Sequence, residues 1–133
     1  MEYKQGLKWL SRARTIDFQM KDKVYLIEAL YTCCGLQGIS YDKISVVSSP
    51  ENKLERIIAD IDKAQRELQE LREQKQKVLY EISQKIGKLE SSPEKTVLMG
   101  FYVGCRQMEE VGRDIGYATS YCYDLRRKGI EKL

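Results

Sequence analysis

Four cysteines are the strongest nucleophile candidates in the chain, and no histidine is present to activate them. The cysteines are Cys33, Cys34, Cys105 and Cys122. The absence of histidine excludes Ser-His-Asp triads and histidine metal ligands, and the adjacent pair lacks the C-x-x-C spacing of metal and redox sites. The sequence therefore predicts a non-enzymatic protein without cofactor or metal, whose thiols stay reduced in the cytoplasm.

A second group of chemically competent side chains lies between residues 119 and 128. Hydroxyl groups of Ser, Thr and Tyr bind phosphate oxygens, and an arginine guanidinium binds either phosphate or a guanine edge. Cations near a helix C-terminus have a second explanation, because the helix dipole stabilises them there. The segment 105–133 holds six basic and five acidic residues, so any positive patch is local. The candidate DNA-binding residues are Thr119, Ser120, Tyr123, Arg126, Arg127 and Lys128.

The residues around this group satisfy the internal demands of a helix-turn-helix. Such a motif needs a small residue where its helices touch, a glycine in the turn, and an apolar residue after the turn. It also needs apolar residues on the inner face of each helix. These positions are filled, in chain order, by Val111, Gly112, Ile115, Gly116, Tyr117, Cys122 and Leu125. A plain three-helix tail without a DNA role is the alternative, since glycine-terminated helical hairpins are common.

A long coiled-coil helix is predicted between two copies of the tetrapeptide Ser-Ser-Pro-Glu, at residues 48–51 and 91–94. Each copy offers a serine N-cap, a proline for the first turn and an acid near the positive end of the helix dipole. Between the copies, two heptad series place apolar residues at nine of eleven positions. Nine basic and nine acidic residues give this helix a neutral surface, which favours packing against protein.

We expect this helix to exceed about 30 residues within 51–90 and to bury its seam against the N-terminal helix, a second chain, or both. The seam residues are Leu54, Ile61, Leu68, Leu71, Val78 and Ile82. Upstream, apolar steps of three or four predict one helix over residues 3–31, or two with a break near Asp17. Gly35 provides the stop, and residues 36–50 are predicted to be a connecting loop.

Downstream of the coiled coil, three further helices are predicted. The first begins at Pro93 and ends near Gly104, the second is a short helix closed by Gly116, and the third lies within 118–133. The sequence thus predicts an all-α fold. Residues 1–90 form a helical hairpin or coiled-coil region, and residues 91–133 form a C-terminal three-helix module.

The composition and charge are typical of a helical protein with one modest core. The chain has 133 residues, two prolines and a formal charge of +3, from 23 basic and 20 acidic residues. No apolar run approaches the roughly 20 residues of a membrane span, and the N-terminus lacks the apolar core of a signal peptide. We therefore expect a cytoplasmic protein with no membrane partner.

The C-terminal pattern resembles a known family. Residues 101–133 resemble the region-4 helix-turn-helix of bacterial sigma factors. More closely, the chain resembles small phage and prophage proteins of Gram-positive bacteria, described as sigma-factor-like or autolysin-regulator-like and formerly as a domain of unknown function. The matching residues are Asn52-Lys53-Leu54, Ile57-Ile58-Ala59-Asp60-Ile61, Tyr102, Met108-Glu109-Glu110-Val111-Gly112, Tyr117-Ala118, Cys122, Leu125 and Leu133. The resemblance covers residues 50–133 well and the N-terminal helix loosely.

Three positions depart from the family pattern. Met108 stands where the family has tryptophan, Gly112 where it has alanine, and Ala118 where it has the serine that caps the recognition helix. Thr119 or Ser120 is expected to provide the cap instead, since a missing cap costs about 1 kcal/mol.

The resemblance implies a phage-type or prophage-type transcriptional regulator whose module at 91–133 binds double-stranded DNA. The coiled coil would then serve as a spacer, as a homodimer interface or as a surface for RNA polymerase. The alternative is a non-enzymatic coiled-coil interaction or structural protein in which the C-terminal helices only form a packing cap.

Overall fold

The computed structural model describes residues 1–33 and 50–133, which are almost entirely helical and contain no strand. The predicted all-α class is therefore confirmed. Six α-helices and one π-helical turn follow in chain order: α1 Tyr3–Leu10, α2 Arg12–Cys33, α3 Pro50–Gly87, α4 Pro93–Leu98, the π-helical turn Met99–Val103, α5 Met108–Ile115 and α6 Thr119–Glu131. The predicted stop at Gly35 and most of the predicted loop over 36–50 lie outside the described residues.

The long helix α3 confirms the prediction from the heptad pattern, with 38 residues and no interruption. Ile61, Leu68 and Ile82 of the seam are buried, while Leu71 and Val78 are half-buried. Leu54 is the exception, with 44% of its surface exposed. Near the end of α2, Tyr31 contacts Gln65 of α3. Leu54 lies eleven residues before Gln65, which is about three turns further along α3.

In each of two compact units, α2 runs antiparallel to α3. In the unit formed by residues 18–73, Lys23 forms an ion pair with Glu67, and the Gln65 side-chain amide donates to the Tyr31 hydroxyl at 3.3 Å. The other unit comprises residues 1–17 and 74–133, and there Arg12 pairs with Glu81 at 2.9 Å. In the same unit Lys75, one of the two polar interruptions of the heptad series, pairs with Asp17 at 2.9 Å.

The predicted division at residue 90 stays a prediction. Residues 1–17 and 74–133 share a core, because one apolar cluster contains residues from α1, α2, α3, α4, the π-helical turn and α6. Its buried members are Leu10, Ala13, Ile82, Ile86, Leu98, Tyr102 and Ile130. A second cluster holds α4, α5 and α6 together through Val97, Met108, Val111, Cys122 and Leu125.

The break in the N-terminal helix falls at Ser11 and not near Asp17. The backbone hydrogen bonds continue across it, because the Ser11 amide donates to the Leu7 carbonyl and the Thr15 amide donates to the Ser11 carbonyl, both at 3.0 Å. Apolar residues keep their spacing through this point, so periodicity could not locate the break. The short helix α1 then packs against α6, where a Cβ added at Gly6 would lie 2.2 Å from Ile130 Cγ2.

The predicted helix start at Pro93 and stop at Gly104 are confirmed. The Lys95 amide donates to the Ser92 hydroxyl at 3.4 Å, so Ser92 acts as the N-cap. After Leu98 the helix widens into a π-helical turn, which the sequence did not predict, and the Gly104 amide closes it on the Met99 carbonyl at 2.8 Å. Cys105 follows with φ of 53°, the left-handed conformation that costs a side chain about 1–2 kcal/mol.

Cys105→Gly is expected to be more stable than Cys105→Ala by about 1 kcal/mol, because glycine adopts the left-handed conformation without a Cβ penalty. In most positions the order is reversed, since glycine gains more conformational entropy on unfolding. Urea unfolding of the two variants measures the difference. A more stable alanine variant would contradict strain at this residue.

Candidate nucleic-acid interface

Helices α5 and α6 are joined by a three-residue turn, Gly116-Tyr117-Ala118, as predicted from the glycine stop. Gly116 has φ of 77°, so the turn uses the left-handed conformation that glycine adopts most easily. The Tyr117 amide donates to the Gly112 carbonyl at 2.9 Å and closes the end of α5. These two contacts fix where α6 begins relative to α5.

Gly112 is the point where the two helices touch. A Cβ added there would lie 2.7 Å from the Tyr117 carbonyl oxygen and 3.2 Å from Cys122 Sγ. The predicted small residue at the helix contact is therefore a steric requirement of this packing. An alanine at the same position would not fit this backbone without a shift.

The predicted inner face is buried with one exception. Val111, Cys122 and Leu125 are buried, and Ile115 packs against them at the edge of the cluster. Tyr117, the apolar residue that follows the turn, is 41% exposed. Its ring packs edge-on against Tyr121 at a centroid distance of 5.2 Å, so the aromatic side chain covers its neighbour on α6 rather than the core.

The six predicted DNA-binding residues divide into an outer group and two less exposed residues. Ser120, Tyr123, Arg127 and Lys128 are exposed, and Asp124 shares their face. Thr119 is half-buried at the start of α6. Arg126 is also half-buried, because its guanidinium lies between aromatic side chains, 4.9 Å from the centre of the Tyr123 ring and 5.7 Å from that of Phe101.

The partner of Arg126 comes from the other end of the chain. Arg126 Nη2 donates to the Tyr3 hydroxyl at 3.3 Å, and the Arg127 guanidinium lies 5.0 Å from the centre of the Tyr3 ring. Tyr3 thus contacts two of the predicted residues, although nothing in the sequence around it predicts a role at the site. No local signal could have found it, because 123 residues separate Tyr3 from Arg126.

Acidic residues neutralise part of the surrounding surface. Arg127 Nε lies 3.5 Å from Glu131 Oε1, Arg106 pairs with Asp114 at 2.9 Å, and Lys132 pairs with Glu94 at 3.0 Å. Most of these side chains are more than half exposed, so the pairs exchange readily with water or with another anion. Lys132 also holds the pKa of the Glu94 carboxyl below its usual value.

No side chain caps the start of α6. Ala118 occupies the N-cap position, and neither Thr119 nor Ser120 provides the expected replacement. The reason is geometric, since both residues already lie inside the helix. The first amide groups of α6 are therefore left for an external acceptor, next to the exposed Ser120.

Three of the four cysteines lie in the described part of the chain. Cys33 is exposed, Cys105 is half-buried and Cys122 is buried, all three as free thiols, whereas Cys34 lies outside the described residues. Burial raises the pKa of the Cys122 thiol, which disfavours the reactive thiolate. Over residues 1–33 and 50–133, no cluster of Cys, Asp and Glu side chains could hold a metal ion.

None of the helices in the described part of the chain is both long enough and apolar enough to cross a membrane. Comparison with models of protein families, with curated proteins and with solved structures found no match for this chain. A function must therefore be argued from the residues and geometry of the chain itself.

Proposed function

We propose that the chain is a phage-type or prophage-type transcriptional regulator that binds double-stranded DNA through α5, the turn and α6, in the manner of a sigma region-4 helix-turn-helix. The main support for this proposal is that α6 has one buried apolar face and one exposed polar face. Cys122 and Leu125 are buried against the preceding helices, while Ser120, Arg127 and Lys128 are exposed on the other side.

The dimensions of α6 suit a major groove. Its 13 residues span about 20 Å, and the groove of B-DNA is roughly 12 Å wide and admits one α-helix. In helix-turn-helix proteins the N-terminal residues of the second helix contact base edges. Thr119, Ser120 and Tyr123 occupy that part of α6, and its uncapped N-terminus offers amide donors to a phosphate.

The mixture of acidic and basic residues around α6 predicts that a single copy of the chain binds DNA with modest affinity. Asp124 and Glu131 lie among the outer-face cations, and Glu131 contacts Arg127 directly. Binding must then depend on few phosphate contacts and fall with salt. A second copy or RNA polymerase would add contacts and raise the effective affinity, which is the role we propose for the coiled-coil region.

Arg127→Ala is expected to weaken binding to the cognate promoter DNA by about 1–3 kcal/mol if Arg127 contacts a base. If it contacts a phosphate, affinity should fall similarly on all sequences and the salt slope should decrease by about one. The measurement is a fluorescence-anisotropy salt titration with promoter DNA from its own prophage and with random DNA.

Lys77→Ala is the matched control, because Lys77 is an exposed cation on α3 and its loss changes the net charge by the same amount. It should leave the affinity nearly unchanged. Small and equal effects of both substitutions, or no binding to any duplex, would contradict the DNA-binding function.

A second function, protein interaction through the coiled coil, is favoured by an exposed apolar stripe on α2. Phe18 and Tyr25, seven residues apart on one side of the helix, are 60% and 67% exposed, and the adjacent Leu26 is 44% exposed. Light scattering, which measures the oligomeric state of the wild type and of Tyr25→Ser, tests this second function. An oligomer that dissociates in the variant, together with absence of DNA binding, would establish the interaction function instead.

A further inference from the structure

Two arginines that are distant in sequence share one aromatic ring. The Arg14 guanidinium lies 4.2 Å from the centre of the Phe101 ring, and Arg14 Nη1 donates to the Phe101 carbonyl at 3.0 Å. The Arg126 guanidinium lies 5.7 Å from the same ring, so the two charges are within about 10 Å of each other. Together with Tyr3 and Tyr102, these residues form what we term the arginine–aromatic cluster.

Within residues 1–33 and 50–133, neither guanidinium in the cluster forms an ion pair with a carboxylate. Three arginines in the described ranges are half-buried. Of these, Arg12 pairs with Glu81, and Arg14 contacts the Phe101 carbonyl and ring. Arg126 contacts the hydroxyls of Tyr3 and Tyr102 and aromatic rings. Nε of Arg126 is buried and makes no hydrogen bond. Two partly desolvated like charges and an unsatisfied donor are unfavourable unless an anion compensates them.

The two phenol hydroxyls of the cluster accept hydrogen bonds from Arg126, and each still has a proton to donate. Burial raises the pKa of the Tyr102 phenol, while the charge and hydrogen bond of Arg126 and the charge of Arg14 act in the opposite direction. Tyr102 therefore stays protonated near neutral pH, and both arginine charges reach it. The Tyr3 hydroxyl, which accepts from Arg126, keeps its own proton to donate.

We propose that the arginine–aromatic cluster binds a phosphate-type oxyanion between the guanidinium groups of Arg14 and Arg126. The planar donor fork of arginine matches a tetrahedral oxyanion, and aromatic packing holds each fork in place before the ligand arrives. The oxyanion is either free phosphate or a phosphodiester of nucleic acid. This site lies at the junction of α1, α2, the π-helical turn and α6, and it does not depend on α6 entering a DNA groove.

The first test is thermal unfolding in sodium phosphate against sodium chloride at matched ionic strength. Millimolar phosphate should raise the Tm of the wild type by a few degrees, because a ligand that binds only the folded state stabilises it. Arg14→Gln and Arg126→Gln should lose this increase. Arg72→Gln, which removes one exposed charge from α3, should keep it. An equal increase in all four proteins, or none in the wild type, would overturn the proposal.

A second measurement uses the unmodified protein and so does not depend on whether the variants fold. Burial protects Nε–H of Arg126 from exchange, which should make its NMR resonance observable. Inorganic phosphate should shift this resonance. A short DNA duplex that competes with phosphate identifies a phosphodiester ligand, and a duplex that does not compete identifies the free anion.

The outcomes also separate this site from the proposed DNA-binding function. A duplex that binds α6 while the Arg126 resonance responds to neither ligand would refute the oxyanion site and leave DNA binding intact. A phosphate-induced shift in a protein that binds no duplex would do the opposite.

Discussion

Leu98→Ala is expected to lower the free energy of unfolding by about 2–5 kcal/mol, the cost of truncating a fully buried leucine. Leu98 has no exposed surface and belongs to the core cluster that also contains Leu10, Ile82 and Ile130. A Cβ added at Gly129 would lie 2.8 Å from Leu98 Cδ1, so the backbone of α6 packs directly on this side chain. Urea unfolding, followed by circular dichroism, measures the loss.

Leu26→Ala is the matched control, because it removes the same atoms from a leucine that is 44% exposed. We expect it to cost less than about 1 kcal/mol. A loss at Leu98 no larger than the loss at Leu26 would contradict the shared core. Comparable losses of several kcal/mol at both positions would show that a partner covers the outer side of α2 in solution.

Local signals were sufficient to predict most of the helices. The bounds of α3 follow from a Ser-Pro-Glu start and a heptad series without proline, and the start of α4 follows from Ser92 and Pro93. Gly116 marks the end of α5 because only a residue without Cβ adopts that backbone conformation cheaply. Each of these signals acts within one or two turns of helix, which is the range over which sequence determines local structure.

The packing between distant segments could not be predicted in the same way. The contact of Gly6 with Ile130 joins residues 124 positions apart, and glycine in a helix gives no indication of which neighbour requires it. The break at Ser11 likewise follows from where α1 packs and not from the apolar spacing. The core that joins helices from both sides of residue 90 could not be predicted for the same reason, since an apolar pattern alone does not show which helices pack together.

At the candidate site, the apolar periodicity predicted which residues of α6 face the core. It was less informative about residues at the edge of the buried face, such as Arg126. Cys122 and Leu125 are buried as expected, and Arg127 is exposed. Arg126 is the same residue type one position away, but α1 and the Phe101 ring lie on its side of the helix and cover it. Its environment is therefore determined by tertiary packing, and so is the contact with the Phe101 ring that it shares with Arg14.

Gly112→Leu is expected to lower the free energy of unfolding by about 3 kcal/mol and to abolish the proposed DNA binding. The first added atom would lie 2.7 Å from the Tyr117 carbonyl oxygen, which is backbone and cannot rotate away. Overpacking of this kind costs about 1–3 kcal/mol for small additions, and leucine adds three further carbons beyond Cβ. Because the turn must move to admit the side chain, α6 should shift relative to α5 even in molecules that remain folded.

Gly87→Leu is the matched control, since a Cβ at Gly87, the last residue of α3, would meet nothing within 4 Å. Leucine is the better helix former, so this variant should be as stable as the wild type or slightly more stable. Gly112→Ala, which adds only the first atom, should fall between the two, because its steric cost is partly offset by the helix propensity of alanine. If Gly112→Leu unfolds at the same urea concentration as Gly87→Leu and binds promoter DNA as tightly, the close contact at Gly112 is not what positions α6.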